Sequence, residues 1–152
     1  MKRIAMAADH AGFSLKEKLK EYLEKTGYLV KDFGTYSQER CDYPEITYQA
    51  ALSVSKGKIK QAVLICKSGI GTSIVANRLS GVRAALCHNV KCAQLSRQHN
   101  DSNILVLGSG FVNAALAKKI LKAWLSTKFE GGRHRRRLNQ IKAIEKKIRR
   151  DK

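Results

Sequence analysis

The sequence has one proline, no internal repeat and no apolar run long enough to cross a membrane. A spanning helix needs about 20 predominantly apolar residues, and the core of a secretory leader needs about 7–15. The first apolar run, which follows Lys2 and Arg3, ends at Asp9 and is too short for either role. We therefore expect no membrane segment and predict a cytoplasmic protein.

Cysteine motifs are also missing. The four cysteines include no CxxC pair, and no histidine follows them at zinc-finger spacing. Structural zinc sites rely on such spacings, so we expect no metal site. In a reducing compartment, most of these cysteines would be small buried apolar residues.

Acidic residues are scarce, with 12 Asp and Glu against 30 Lys and Arg, for a net charge of +18. Ten basic residues and two acidic ones fall within residues 133–152. A positive field favours anionic partners, from sugar phosphates to nucleic acids, and does not choose between them. No aromatic residue lies within 133–152, so the tail lacks a stacking platform for nucleic-acid bases.

What the sequence does contain is an alternation of short apolar runs with helical patterns. Strands are predicted at 4–8, 28–33, 62–66, 82–87 and 104–107, and helices at 14–26, 43–55, 72–79, 90–97 and 112–125. The motif Ser14-Leu15-Lys16-Glu17 has the form of a capping box that opens the first helix. The third run is apolar throughout, which is typical of a strand covered on both faces. We predict one α/β domain, 1–152, with a doubly wound five-stranded parallel sheet in a Rossmann-like three-layer sandwich.

The last 20 residues form a basic amphipathic helix, in which Leu138, Ile141, Ile144 and Ile148 recur on one face. Such a stripe must pack on its own domain or on a partner subunit. We favour a partner subunit.

Three loops follow predicted strands at their carboxyl ends, where ligands bind in open α/β sheets. They are Asp9-His10, 66–71 and 108–110. The glycines of 66–71 let a ligand approach the backbone, and the next helix turns free N–H groups toward it. The loop has neither the Walker motif nor GxGxxG, so nucleotides are not expected. It could hold a phosphate or an oxyanion, or it could be an ordinary tight turn.

Several polar residues allow two interpretations each. Cys66 could be a thiolate base at the loop or a buried structural cysteine. His99 precedes the fifth strand, at the opposite edge from Cys66, and could belong to an ordinary turn. Arg133 and Arg137 lie four residues apart and could share one phosphate or form a solvated basic face.

Taken together, the motifs resemble the type B ribose-5-phosphate isomerases, whose family also holds allose- and galactose-6-phosphate isomerases. The matching stretches are 8–13, Asp42-Tyr43-Pro44, 73–77, 96–101, 130–134 and Arg137. The resemblance runs to about Glu145. It implies an aldose–ketose isomerase that interconverts ribose 5-phosphate and ribulose 5-phosphate through an enediolate, with no metal or organic cofactor.

The resemblance also implies roles for individual residues. Cys66 would move the proton between C2 and C1, and His99 would open the furanose ring. The oxyanion would be held by Ser68 and by the backbone N–H groups of Lys67, Ser68, Gly69, Ile70 and Gly71. The sugar would be bound by Asp9, Tyr43 and Asn100, and the phosphate by His10, Arg133 and Arg137. The family forms two-fold dimers, often paired into tetramers, in which a neighbour would supply His99, Asn100, Arg133 and Arg137.

The chain departs from the family pattern at three positions. Lys67 stands where members usually have glycine, and would be strained if that position needs a positive φ. Gly110 stands where many members have an arginine that contacts phosphate. Thr72 stands where some members have a glutamate base, which leaves Cys66 as the candidate base. The alternatives are a hexose-6-phosphate isomerase, or a nucleic-acid-binding protein on an inactive scaffold; nucleic acid is not the expected partner.

Overall fold

Strands and helices alternate along the whole chain. The structure, a computed structural model, describes residues 1–152. The elements are β1 Lys2–Ala8, α1 Phe13–Lys25, β2 Tyr28–Asp32, α2 Tyr43–Ser55, β3 Ala62–Cys66, α3 Ile70–Ala76, β4 Ala84–Leu86, α4 Val90–Asn100, β5 Ile104–Gly108, α5 Ala114–Ser126 and α6 Arg133–Arg150. None of the helices is both long and apolar enough to cross a membrane.

The five strands form one parallel sheet in the order β2-β1-β3-β5-β4. The predicted five-stranded parallel sheet is therefore confirmed. Every residue of β3 and β5 is buried, because helices cover both faces of the sheet at its centre. One apolar core joins the sheet to α1, α4 and α5 around Trp124, and the other joins it to α2 and α3.

The predicted start of α1 is wrong by one residue, and so is its predicted cap. The helix begins at Phe13, and no side chain caps it. Its entry is a tight turn in which Asp9 accepts a hydrogen bond from the Gly12 N–H, at 3.0 Å. A Cβ at Gly12 would lie 2.8 Å from the Ile65 carbonyl oxygen, so glycine lets the helix start directly against β3. Ser14 is already inside the first turn and exposed.

β4 is shorter than the predicted 82–87. The Arg83 N–H donates to the Asn103 side chain, at 2.8 Å, so regular pairing with β5 begins at Ala84. On the open side of this edge strand, the Asn77 amide bonds to the Ala84 N–H and carbonyl, at 2.9 and 3.0 Å. Side-chain amides thus replace the strand hydrogen bonds that the sequence pattern predicts.

A fully buried lysine holds α1 against β2. The Lys16 ammonium pairs with Asp32 at 2.5 Å and with Glu17 at 3.0 Å. Burial alone would raise the pKa of Asp32, but hydrogen bonds from Lys16 and the Gly34 N–H outweigh it and lower the pKa. The ion pair therefore favours the charged carboxylate in the folded state.

We expect Asp32→Asn to lower the free energy of unfolding by about 3 kcal/mol at pH 7, because the buried ammonium loses its closest counter-charge. Since folding depresses the pKa of Asp32, its contribution is present above the unfolded pKa of about 4 and is lost as pH falls through the folded value. Urea unfolding at pH 7 and pH 3 measures both effects, and Asp151→Asn is the exposed control. Equal stability of Asp32→Asn and wild type at pH 7 would contradict this prediction.

The apolar stripe of α6 is only partly covered within the chain. Ile141, Ile144 and Ile148 are 52, 56 and 54% exposed. The helix is tied to the β4 side of the domain by Glu145, which accepts a hydrogen bond from the Gly81 N–H at 3.0 Å. The stripe is thus an apolar surface next to a strongly basic one.

Candidate active site

A cleft of about 440 Å³ opens beside the carboxyl ends of β1 and β3. Its walls come from three separate segments of the chain, and the lining residues are Asp9, Tyr43, Cys66, Lys67, Ser68, Ile70, Gly71 and Ile74. All of these except Ile74 are residues that the sequence analysis selected. Ile74 lies one helical turn after Ile70, and this spacing could have identified it from the sequence as a second lining residue.

Cys66 is the last residue of β3 and lies at the base of the cleft, only 4% exposed. The Gly69 N–H donates a hydrogen bond to its Sγ, at 3.1 Å. This hydrogen bond fixes the position of the Cys66 sulfur at the base of the cleft.

Gly69 is the residue that needs special backbone conformation in this loop. Its φ is 78°, in the left-handed region, and a Cβ there would collide with the Leu86 side chain. Lys67 does not have a positive φ, since Asp101 is the only non-glycine residue that does. The strain considered for Lys67 therefore does not arise.

Several donors of the loop have no protein acceptor. The Ile70 N–H donates to the Ser68 hydroxyl, at 3.2 Å, whereas the N–H groups of Ser68 and Gly71 donate to no backbone or side-chain atom of the chain. Unpaired N–H groups beside a base can stabilise a developing oxyanion. The loop thus places N–H groups that have no protein acceptor close to the Cys66 sulfur.

The rest of the cleft offers polar groups suited to a sugar. The Asp9 carboxylate is held by the Gly12 N–H, and the Tyr43 ring lies over Gly71, where a Cβ would collide with it. His10 lies outside the lining, and its Nδ1 is taken up by the Cys41 backbone, 3.0 Å from the carbonyl oxygen and 3.2 Å from the N–H. Its Nε2 has no protein partner and is the nitrogen left for a ligand.

Four predicted site residues lie at the amino end of the sheet, away from this cleft. In the β3–β5 register, Ala62 faces Ile104 and Cys66 faces Gly108, and His99 precedes Ile104 at the end of α4. The two ends of the paired strands are about 13 Å apart at the usual rise per residue. His99 and Asn100 therefore lie at the amino edge of the sheet, where Arg133 and Arg137 on the first turns of α6 join them.

His99 is supported by a residue that the sequence analysis missed. It stacks on His134, with ring centroids 4.2 Å apart and planes 10° apart. Burial, then the nearby His99 and Arg133, lower the pKa of His134, which favours the neutral form of this ring. Glu130 and His134 are four residues apart in the sequence, and their side chains lie 3.4 Å apart. This spacing could have identified His134 from the sequence.

The side chains of His99, Glu130 and His134 are also of the kinds that bind metal ions. The ligand atoms of His99, Glu130 and His134 lie within 4.8 Å of one another. An imidazole lone pair lies in the plane of its ring, so two nearly parallel stacked rings direct their lone pairs side by side rather than toward one ion. The arrangement suits ring stacking better than metal binding.

The profile of the Ribose/Galactose Isomerase family matches residues 4–141. The chain belongs to the ribose/galactose isomerase family. It is 48% identical over 147 residues to ribose-5-phosphate isomerase B of Escherichia coli, covering 97% of this chain and 99% of that one.

Solved structures of the isomerase family agree with this assignment. Ribose-5-phosphate isomerase B of Clostridium thermocellum has a TM-score of 0.94 and 44% identity, covering 96% of this chain and 99% of that one. The Mycoplasma genitalium ribose-5-phosphate isomerase B, with bound ribulose-5-phosphate, has a TM-score of 0.91 and 39% identity, covering 95% and 96%. The three-layer fold is thus that of the family's isomerases.

Proposed function

We propose that the protein is an isomerase that interconverts ribose 5-phosphate and ribulose 5-phosphate. The observation that carries this proposal is the placement of the Cys66 thiol beside unpaired N–H groups of 66–71, in a cleft lined by Asp9 and Tyr43. The names of the Escherichia coli and Mycoplasma genitalium relatives support the choice of sugar.

The reaction needs one proton to move between adjacent carbons. The Cys66 thiolate takes the proton from C2 of the open-chain aldose, and the electron pair of that C–H bond forms the enediolate. The Ser68 hydroxyl and the N–H groups of the loop hydrogen-bond to the negatively charged oxygen. The hydroxyl proton on O2 passes to O1, and Cys66 returns its proton to C1, which leaves the carbonyl at C2, gives the ketose and regenerates the thiolate.

The remaining groups bind the sugar and prepare it. Asp9, Tyr43 and Asn100 hold the hydroxyl groups, and His99 moves the proton that opens the furanose ring. The phosphate binds to His10 Nε2, Arg133 and Arg137, since guanidinium groups pair well with phosphate oxygens.

A complete site requires two chains. Cys66 lies at the carboxyl end of the sheet and His99 at its amino end. A two-fold dimer would therefore join the Cys66 cleft of one subunit to the His99 group of the other. The exposed stripe of α6 supplies an apolar surface for such contact. We propose a cytoplasmic homodimer, or a tetramer of two such dimers.

A coupled assay with purified protein tests the function. We expect a higher kcat/KM with ribose 5-phosphate than with allose 6-phosphate or galactose 6-phosphate. Absence of turnover with all three sugars would contradict the proposal, and a preference for a hexose phosphate would correct the substrate.

Arg137→Ala should raise KM for ribose 5-phosphate by about 10- to 100-fold and change kcat by only a few-fold. The phosphate lies away from the carbons that exchange the proton, so Arg137 contributes mainly to uniform binding, and hydrogen bonds to charged groups are worth about 1.5–3 kcal/mol. Steady-state kinetics measure the effect, with Arg150→Ala at the far end of α6 as the control. An unchanged KM would make Arg137 part of a solvated basic face.

A further inference from the structure

The side chain of Lys67 lies across Gly110, on the loop after β5. A Cβ at Gly110 would be 3.1 Å from the Lys67 carbonyl oxygen, 3.2 Å from Lys67 Cε and 3.4 Å from Lys67 Cδ. The two loops are also joined through the backbone, since the Gly110 N–H donates to the Lys67 carbonyl at 2.9 Å. The absence of a side chain at Gly110 thus provides the space in which the lysine lies.

The Lys67 ammonium has no partner within the chain. No carboxylate lies within 4.0 Å of it, and it donates no hydrogen bond; the chain's ion pairs all involve other cations. Lys67 is exposed and is the one cation among the eight residues that line the Cys66 cleft. The only lining carboxylate, Asp9, is engaged by the Gly12 N–H.

We propose that the Lys67 ammonium binds the phosphate of the substrate, and that Gly110 is required because it leaves the lysine room to do so. The inference rests on the proposed function, since it assigns a phosphate ligand to the same cleft. Lys67 would supply positive charge from the subunit that also provides Cys66. Arg133 and Arg137 would supply theirs from the other subunit, so the phosphate would be held from both chains.

Lys67→Met keeps the length of the side chain over Gly110 and removes its charge. We expect KM for ribose 5-phosphate to rise about tenfold, the low end for a hydrogen bond to a charged group because Lys67 is exposed, with kcat changed less than twofold. Lys67→Arg should restore KM to within about threefold of wild type. Lys60→Met is the matched control, because Lys60 is an exposed lysine that precedes β3 just as Lys67 follows it.

Gly110→Ala tests the role of the open space. The added Cβ would crowd both the carbonyl oxygen and the side chain of Lys67, so these atoms must shift by a few tenths of an ångström. We expect the displaced lysine to raise KM several-fold in the wild-type background. In the Lys67→Met background the same substitution should add less than twofold, because neighbouring groups that act together are not additive. An equal rise in both backgrounds would show that Gly110 acts independently of Lys67 and would overturn that part of the proposal.

Binding of inorganic phosphate, measured by calorimetry, separates this proposal from the proposed function because it requires no turnover. Lys67→Met should weaken phosphate binding about tenfold, and Lys60→Met should leave it unchanged. Unchanged KM and unchanged phosphate affinity in Lys67→Met would overturn the assignment, and so would a fall in kcat alone. If the wild-type protein turned over no sugar phosphate yet bound phosphate through Lys67, the proposed function would fail and the assignment of Lys67 would stand.

Discussion

Replacing Cys66 with alanine should lower kcat by about 10²–10⁴-fold, the usual contribution of a general base, while the protein stays folded. The position after the loop offers no second base, because it carries Thr72, which is buried and whose hydroxyl lies 3.4 Å from that of Thr47. The Asp9 carboxylate also lines the cleft, and the proposed mechanism assigns it to the sugar hydroxyls. The lost side chain is small, and its one hydrogen bond from the Gly69 N–H is worth about 1 kcal/mol. Thermal unfolding should therefore change little.

The other cysteines provide the control for this experiment. Burial, followed by the neighbouring Cys92, raises the pKa of Cys87 to about 12, so Cys87 remains a thiol at neutral pH and cannot serve as a base. Cys92→Ala is the control variant, because Cys92 does not line the Cys66 cleft. It should keep kcat within a few-fold of wild type. If Cys66→Ala also stays within a few-fold, the proton must be transferred by another group and the mechanism is wrong.

The architecture could be predicted from the sequence because its signals are local. The continuous apolar runs of β3 and β5 indicate buried central strands, and the alternation with helices indicates a parallel sheet. The order of strands depends on pairing between distant segments, which no local pattern carries. The predicted start of α1 was wrong for a related reason. The helix begins where Gly12 packs closely against Ile65, and Ile65 belongs to β3, so no local pattern reports the contact.

The candidate site was likewise predicted only where its signals are local. The loop at 66–71 has glycines and a cysteine in a recognisable arrangement, and the structure brings it together with Asp9 and Tyr43. The contact of Lys67 with Gly110 could not be read from the sequence, because it depends on β3 and β5 lying side by side with Cys66 opposite Gly108. The stack of His99 on His134 likewise joins α4 to α6.

Two inactive variants should restore activity to each other when they form mixed dimers. In a dimer of Cys66→Ala with His99→Asn, one site carries both lesions and is inactive. The other site combines the intact Cys66 of one chain with the intact His99 of its partner. Random pairing gives about half mixed dimers, so about a quarter of all sites should be competent. The gain is large because neither variant alone has an intact site.

The experiment uses co-refolded chains, with mass analysis to measure the fraction of mixed dimers. The substrate must be furanose ribose 5-phosphate, because the open-chain sugar would bypass the ring opening that His99 performs. The matched control is Cys66→Ala mixed with Asp9→Asn. Both lesions lie in the same cleft, so every site of that mixed dimer remains damaged and no activity should return. If the first mixture is no more active than its separate components while mixed dimers are present, each site is built from one chain. His99, at the amino end of the sheet, would then have no part in the reaction.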